Sequence, residues 1–226
     1  MVQVLNIRST TGGAARARRR GDARRLEILR AAGRTFRRRG FAAAGMREIA
    51  DEADLSPGNL YHYFRGKDEI LYFCQDHFLD RMLNEVESVR KQRGPAAQRL
   101  RQVLTAHVLC ILDDVDGTAA HLEIDSLPGP LREAIVAKRD AYEHGLRRLI
   151  TTGIRRGEFE RCDAGIVARA ILGALNWTVR WFRPDGRKTA DIVADDLVAY
   201  LVAGLLRRDG ESAAAGEPAV YQEEQP

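Results

Sequence analysis

The sequence predicts an all-α protein, and three observations support this fold class. Apolar residues recur at intervals of three and four over most of the chain, which is the spacing of one face of an α-helix. The strict alternation of apolar and polar residues that is typical of strands is not found. Glycine and proline fall mainly between the periodic segments, where they mark helix ends. We therefore expect a series of helices joined by short turns.

The first three predicted helices are short or closely spaced. Residues 22–39 and 46–53 have helical apolar periodicity. A third helix is predicted to begin after Ser56, a favourable N-cap residue, with Pro57 at the first helical position, and to end near Phe64. A short helix, a turn of about three residues and a second short helix make a helix-turn-helix plan.

The rest of the pattern is also helical. A long helix is predicted over 67–89, and the Gly-Pro pair beyond it opens a second section of the chain. The helices of that section are predicted over 95–113, 117–125, 130–153, 163–182 and 189–207. The last two carry apolar residues over a wider arc than one neighbouring helix can cover, so we expect each to bury two faces.

Charge and cysteine content restrict the kind of protein. The net charge of the 226 residues is only +4, but arginine dominates the first part of the chain, which favours a polyanionic partner there. No apolar run is long enough to cross a bilayer and no signal-peptide pattern is found, so we expect a cytoplasmic protein without a membrane partner. Three widely spaced cysteines make neither a disulfide framework nor a zinc site and indicate reduced thiols.

Polar aromatic and amide side chains crowd into the segment DLSPGNLYHYF, residues 54–64. Gly58 leaves the helix start without a side chain, so the backbone can approach a phosphate at the positive end of the helix. Asn59 can pair with an adenine edge, while Tyr61 and His62 have flat rings with polar tips. The second helix of a helix-turn-helix enters the major groove with such residues. The residues predicted to contact DNA are Arg47, Ser56, Pro57, Gly58, Asn59, Tyr61, His62 and Lys67.

The stretch GFAAAGMREIADEADLSPGNLYHYFRGKDEIL resembles the DNA-binding region of the tetracycline-repressor (TetR) family of transcriptional regulators. The resemblance is strong over residues 24–73 and weak over the rest. It implies a homodimer in which three N-terminal helices bind a double-stranded DNA operator and a larger helical domain binds a small effector. We expect a helix-turn-helix domain at 21–66 and an effector-binding and dimerisation domain at 67–208. Residues 1–20 and 209–226 lack helical periodicity, so we expect a flexible basic arm and a flexible tail there.

Two positions depart from the family pattern. Gly45 stands where the family often has a threonine that caps the second helix and touches phosphate, and glycine has no side chain for that contact. Asp54 stands where the turn commonly has glycine. Aspartate tolerates the left-handed conformation better than most residues, so we expect the turn to keep its form.

The segment ILGALNWTVRWFRPDGRKTADIV, residues 171–193, resembles a TetR subgroup whose effectors are coenzyme A thioesters. Cations near the end of this helix suit a ligand with a phosphate-rich head and an acyl tail, although cations also favour a helix C-terminus on their own. An unrelated hydrophobic effector is the alternative. The residues predicted to bind the effector are His107, Cys110, Glu123, Asn176, Trp177 and Arg180. The residues predicted to form the dimer interface are Ala170, Ala174, Trp181, Leu197, Leu201 and Leu205.

Other classes of protein are disfavoured. A helical enzyme lacks support because no nucleophile elbow, zinc-protease motif, P-loop or dinucleotide fingerprint is found. The acidic run DDVDGTAAHLE matches much of a calcium loop, but Leu112 stands at the first ligand position, so neither metal nor cofactor is expected. A membrane-surface or RNA-binding module would use the arginine-rich first helix, which lacks the large apolar residues of a membrane-lying helix. A repressor released from a palindromic operator by a small effector is the function that the resemblance implies.

Overall fold

A computed structural model of the chain describes residues 10–112 and 123–207, with side chains described from residue 19 onward. Within these ranges the regular elements are helical apart from one isolated β-bridge, between Phe159 and Leu206, which confirms the predicted fold class. The α-helices are α1 (Thr10–Arg39), α2 (Met46–Glu52), α3 (Pro57–Tyr61), α4 (Lys67–Lys91), α5 (Ala96–Leu112), α6 (Gly129–Arg155), α7 (Ala164–Trp181) and α8 (Ala190–Ala203). A short 3-10 helix, Ile124–Ser126, precedes α6. None of the described helices is long and apolar enough to cross a membrane.

The N-terminal end of the molecule is built from α1, α2 and α3. Helix α2 packs on α1 and α3 packs on α2, and Ile49 and Ala50 of α2 and Leu60 of α3 are fully buried. Polar contacts fix the angle between α1 and α2, because Arg34 and Arg38 both donate to the carboxylate of Glu52, at 2.8 and 3.1 Å. These two arginines hold the pKa of Glu52 below its usual range.

Helix α4 belongs to both halves of the molecule. Its first turns pack on α1, where Ile70 and Leu71 are fully buried, and its later turns pack on α5 and α6. On the outer side of the α4–α6 contact, the ammonium group of Lys138 lies 2.5 Å from Asp76 and 2.6 Å from Asp80. A single rigid helix thus joins the short N-terminal helices to the larger helical section.

Two glycines of α6 allow close packing. A Cβ atom on Gly145 would lie 2.7 Å from Cγ1 of Val86 on α4, and one on Gly153 would lie 2.1 Å from the ring of Phe159. Both distances are shorter than real Cβ contacts. The side chains of Val86 and Phe159 therefore rest directly on the backbone of α6.

The last two helices and the chain after them pack against the preceding helices of the C-terminal section. Helices α7 and α8 both pack on α5, and α7 also packs on α6. The chain after α8 returns to the α6–α7 connection, where Glu160 donates its N–H to the carbonyl of Leu205 at 2.9 Å and Arg207 donates to Glu158 at 3.1 Å. This pairing fixes the end of α8.

One predicted helix start is wrong, and several other predictions fall outside the residues that the structure describes. The first helix begins at Thr10 and not near residue 22, so residues 10–20 of the predicted flexible arm are helical. This stretch is rich in alanine and arginine, which favour helix without needing an apolar face. The helix predicted over 117–125 falls mostly on residues 113–122, outside the described part, as do most of the calcium-like run and the whole of the predicted tail.

Replacement of Gly153 by alanine is expected to destabilise the protein by about 1–3 kcal/mol, because the added methyl group displaces the Phe159 ring from a filled core. Chemical unfolding at fixed protein concentration measures this loss. Gly129→Ala is the control, since a Cβ there would meet nothing within 4 Å. Equal stability of the two variants would show that Phe159 does not rest on α6 as described.

Candidate functional site

Helix α3 is held at both ends by local sequence. The hydroxyl of Ser56 accepts the N–H of Asn59 at 3.2 Å, and Pro57 occupies the first helical position, as the sequence predicts. The helix ends at Tyr61, earlier than the predicted end near Phe64. Phe64, in the turn that follows, is buried in the core.

The outer face of α3 is open to solvent. Leu60 is buried, whereas Gly58, Asn59 and His62 are exposed and the side chain of Tyr61 is 55% exposed. A Cβ on Gly58 would meet nothing within 4 Å, so the backbone itself is accessible at the helix start. Six of the eight residues predicted to contact DNA are therefore exposed, one of them on α2 and five within or next to α3. These are Arg47, Ser56, Gly58, Asn59, Tyr61 and His62. Pro57 is half-buried beside them.

The turn between α2 and α3 keeps its form without glycine. Asp54 has a φ of 53°, in the left-handed region, which confirms the conformation expected at that position. The guanidinium of Arg24 on α1 donates to the carbonyls of Ala53 and Asp54, at 3.0 and 3.2 Å. At the start of α2 no side chain caps the helix, and the N–H of Gly45 instead donates to Glu48 at 3.1 Å.

Lys67 has a different position from the one predicted. Its ammonium group donates to the carbonyls of Phe41 and Ala42, at 3.1 and 3.0 Å, and lies 4.7 Å from the centre of the Phe41 ring. The sequence pattern suggested a contact with the DNA backbone, but these partners turn the side chain inward. Lys67 therefore holds the loop before α2 in place.

A cavity of about 300 Å³ lies among α4, α5, α6 and α7. Its centre is His107, which is 1% exposed, with Nδ1 3.0 Å from the Tyr142 hydroxyl and Nε2 3.1 Å from Oδ1 of Asn176. An amide oxygen only accepts, so Nε2 carries the proton and Nδ1 accepts from the tyrosine. Burial lowers the pKa of His107 to about 4, which keeps the ring neutral at pH 7.

The cavity wall combines apolar and charged groups. Its apolar part is formed by Phe78, Leu79, Ile124 and Leu172. Arg139, Asp140 and Glu143 of α6 also line it, and Arg139 donates to Gln75 at 3.0 Å. Such a site can hold a mainly apolar group and hydrogen-bond one polar end of it.

The other residues predicted to bind an effector do not line this cavity. Cys110 is buried beside it, and Glu123 lies at the start of the 3-10 helix. Trp177 is 59% exposed on the outer side of α7, because one residue step from Asn176 turns a side chain by about 100° around a helix. Arg180 lies against the outer Trp177, 5.9 Å from its ring centre.

The sequence prediction missed Tyr142 and Arg139. The available signal was the set of polar residues on one side of α6, since Arg139, Tyr142 and Glu143 are three or four positions apart. That pattern resembles an ordinary solvated face. Only the packing of α4 and α5 against this side of α6 distinguishes the cavity wall from a solvated helix face.

The outer sides of α7 and α8 form an exposed apolar face. Its large members are Ile166, Trp177, Trp181, Ile192 and Tyr200, of which Tyr200 is 79% exposed. Of the residues predicted at a dimer interface, Ala170 and Trp181 are exposed and Ala174, Leu197 and Leu201 are half-buried. Leu205 is instead buried within the protomer, because the pairing of residues 205–207 with 158–160 turns the chain inward.

Acidification is expected to destabilise the protein through His107. Its folded-state pKa is about 4, while an unfolded histidine titrates near 6.5. Between these values the unfolded chain binds a proton that the folded cavity excludes. The stability contribution of the neutral ring is therefore complete above about pH 6.5 and falls by about 1.4 kcal/mol per pH unit toward pH 4.

Urea unfolding of the wild type and of His107→Gln, from about pH 7 to about pH 5, measures this effect. The variant should lose less stability over that range, while His144→Gln, at an exposed position, should behave as the wild type. The same pH dependence in His107→Gln and the wild type would contradict a neutral buried ring.

The chain matches known proteins along most of its length. Residues 28–72 match the family described as bacterial regulatory proteins, tetR family, and residues 93–205 match the tetracyclin repressor-like C-terminal domain. Among curated relatives, the HTH-type transcriptional repressor KstR2 of Mycobacterium tuberculosis is 27% identical over 82% of this chain and 94% of its own.

Solved structures show the same fold. The TetR family regulator PfmR from Thermus thermophilus has a TM-score of 0.70 and 31% identity, covering 80% of this chain and 99% of its own. AibR, in complex with isovaleryl coenzyme A and operator DNA, has a TM-score of 0.67 and 25% identity, covering 81% of this chain and 100% of its own. The chain therefore belongs to the TetR family and is a DNA-binding transcriptional regulator, not an enzyme.

Proposed function

We propose that this regulator is a repressor that binds a palindromic operator as a homodimer and is released by a small hydrophobic effector. An acyl-CoA thioester is the leading class of effector. The observation that carries the proposal is the position of α4, which packs on α1 of the DNA-binding end with its first turns and lines the His107 cavity with Phe78 and Leu79 further along. A ligand in that cavity contacts the same helix that carries the DNA-binding end.

The open face of α3 supports the DNA part of the proposal. Asn59, Tyr61 and His62 are exposed beside the accessible backbone of Gly58, and Arg47 is an exposed cation on α2. The helix is only five residues long, so its buried Leu60 and the Arg24 contact to the turn provide its rigidity. A rigid helix presents base-contacting groups in a fixed register along the major groove.

The apolar face of α7 and α8 supports the homodimer. Trp181, Tyr200 and the half-buried Leu201 are large apolar residues that a single protomer leaves in contact with water. Two copies of this face, related by a two-fold axis, would form a four-helix interface. The two-fold axis would also fix the distance between the two α3 helices. This distance must match the spacing of the two half-sites in a palindromic operator.

The His107 cavity supports a small effector with an apolar portion. A volume of about 300 Å³ is at the lower end of ligand sites, so it suits an acyl group and not a whole thioester with its nucleotide. The amide of Asn176, whose Oδ1 accepts from His107, keeps its NH2 group as a donor for a polar end of the ligand. AibR binds isovaleryl coenzyme A, which favours the thioester class, and a different hydrophobic compound of similar size is the second candidate. Release follows if the ligand binds better to a protomer arrangement in which the α3 helices are wrongly spaced.

Gly58→Ala is expected to lower operator affinity by about tenfold or more, the effect of losing about 1–3 kcal/mol at one contact. The added methyl group has open space in the free protein but would stand between the backbone and a DNA phosphate. Fluorescence anisotropy with labelled upstream intergenic DNA measures the affinity, and thermal unfolding checks that stability is unchanged. Gly129→Ala is the control, and equal operator affinity in the two variants would remove Gly58 from the DNA surface.

The effector proposal is tested by titrating the protein–DNA complex with coenzyme A thioesters of increasing acyl length and with the matching free acids. We expect a short or medium thioester to release the DNA. Asn176→Leu should keep operator affinity but need more thioester for release, because the cavity loses its amide, whereas Asn84→Leu on the exposed side of α4 should not. Specific DNA binding that no thioester relieves would favour the second class of effector.

A further inference from the structure

A second cavity is strongly basic. It has a volume of about 480 Å³ and lies among α4, α5 and α6, with no lining residue in common with the His107 cavity. Five arginines line it, and none of its described lining residues is acidic. They are Arg90, Arg99, Arg147, Arg148 and Arg155. We refer to this site as the arginine cleft.

Arg99 is the unusual member of the arginine cleft. Its side chain is only 7% exposed, and its buried Nε and Nη2 atoms have no hydrogen-bond partner in the described part of the chain. A guanidinium group that is removed from water without an acceptor costs free energy, more than a neutral polar group does. The side chain is therefore placed for an acceptor that enters the cleft.

The remaining charge of the cleft is only partly neutralised. Arg90 forms two hydrogen bonds to Glu87, at 2.7 and 2.8 Å, and Arg147 forms two to Glu143, at 3.0 and 2.6 Å. Within the described residues, Arg148 and Arg155 have no such acidic partner. They are seven positions apart on α6, so they lie two turns from each other on one side of that helix.

The arginine cleft is far from the surface that contacts DNA. Arg90 lies near the end of α4, about 35 Å along the helix from Lys67 at its start. The phosphates of an operator held by α3 cannot account for this charge. A ligand-sized volume and an enclosed buried arginine also suit a small anion better than a polymer.

We propose that the arginine cleft binds a phosphorylated small molecule, with Arg99 as its buried anchor and Arg148 and Arg155 at its rim. Guanidinium groups pair with phosphate oxygens through parallel hydrogen bonds, and several of them around one cavity match a group with two or more negative charges. The phosphate could belong to a separate nucleotide or to the head of a coenzyme A effector. Helix α6 lines both cavities, and Tyr142 and Arg148 are about 9 Å apart along it.

Calorimetric titration of the full chain at constant ionic strength tests the proposal, with ADP, coenzyme A and unphosphorylated pantetheine as probes. We expect ADP or coenzyme A to bind and pantetheine alone not to bind at this site. Arg99→Met and Arg148→Ala should each weaken binding by about tenfold or more, because each removes a charged partner of the phosphate. Arg161→Ala, an exposed arginine outside the cleft, is the matched control and should bind as the wild type.

A stability measurement keeps the test valid if Arg99→Met alters folding. Without ligand this variant should unfold at a higher temperature than the wild type, since a buried uncompensated charge is removed. ADP should raise the unfolding temperature of the wild type but not of Arg99→Met or Arg148→Ala. Arg148 is exposed, so its replacement tests the cleft without disturbing the core.

The results separate the sources of phosphate. Binding of ADP and coenzyme A with similar affinity would assign the cleft to a separate nucleotide, and binding of coenzyme A alone would assign it to the effector head. Absence of binding by every phosphorylated probe, or equal binding in the wild type and both cleft variants, would overturn the proposal. None of these measurements involves DNA, so the outcome is independent of the proposed operator release.

Discussion

The contact of α4 with α6 at Val86 and Gly145 is the constraint on which the rest of the structure depends. Glycine at this point of α6 lets the valine side chain reach the helix backbone, and no other residue would allow so short a separation. The salt bridges from Lys138 of α6 to Asp76 and Asp80 of α4 join the same pair of helices at a second point along their length. Two contacts along two helices determine both their separation and their crossing angle.

The His107 cavity and the arginine cleft lie along successive stretches of α6, and Val86 and Gly145 line the arginine cleft. The stretch of α6 from Arg139 to Glu143 lines the His107 cavity, which has several apolar wall residues and a neutral, hydrogen-bonded histidine. The stretch of α6 from His144 to Arg155 lines the arginine cleft, which is basic and includes Arg99 of α5. The two sites differ in charge because their buried residues respond differently to removal from water. His107 becomes neutral, whereas Arg99 cannot lose its proton.

The DNA-binding end depends on α4 in another way. Helix α3 is too short to be stable alone, and its orientation comes from tertiary contacts made by buried side chains and by cations that bind carbonyl groups. Lys67 at the start of α4 binds the loop before α2, and Arg24 of α1 binds the turn before α3. Both cations form hydrogen bonds with backbone carbonyl groups. The exposed residues that we predict to contact DNA are therefore mainly uncharged, and Arg47 of α2 is the one arginine among them.

The sequence alone was sufficient for the features that depend on neighbouring residues. Helical periodicity, the Ser56–Pro57 helix start and the left-handed Asp54 involve residues within a few positions of one another, and the family resemblance lies in one continuous stretch of sequence. The partners of His107 lie 35 and 69 positions away, and those of Lys67 lie 25 and 26 positions away. Such pairs depend on how the helices cross, which is decided by close packing at a few points such as Gly145. Only the tertiary structure could therefore direct Lys67 inward, place Trp177 and Arg180 outside the cavity, and bring five arginines together around one cleft.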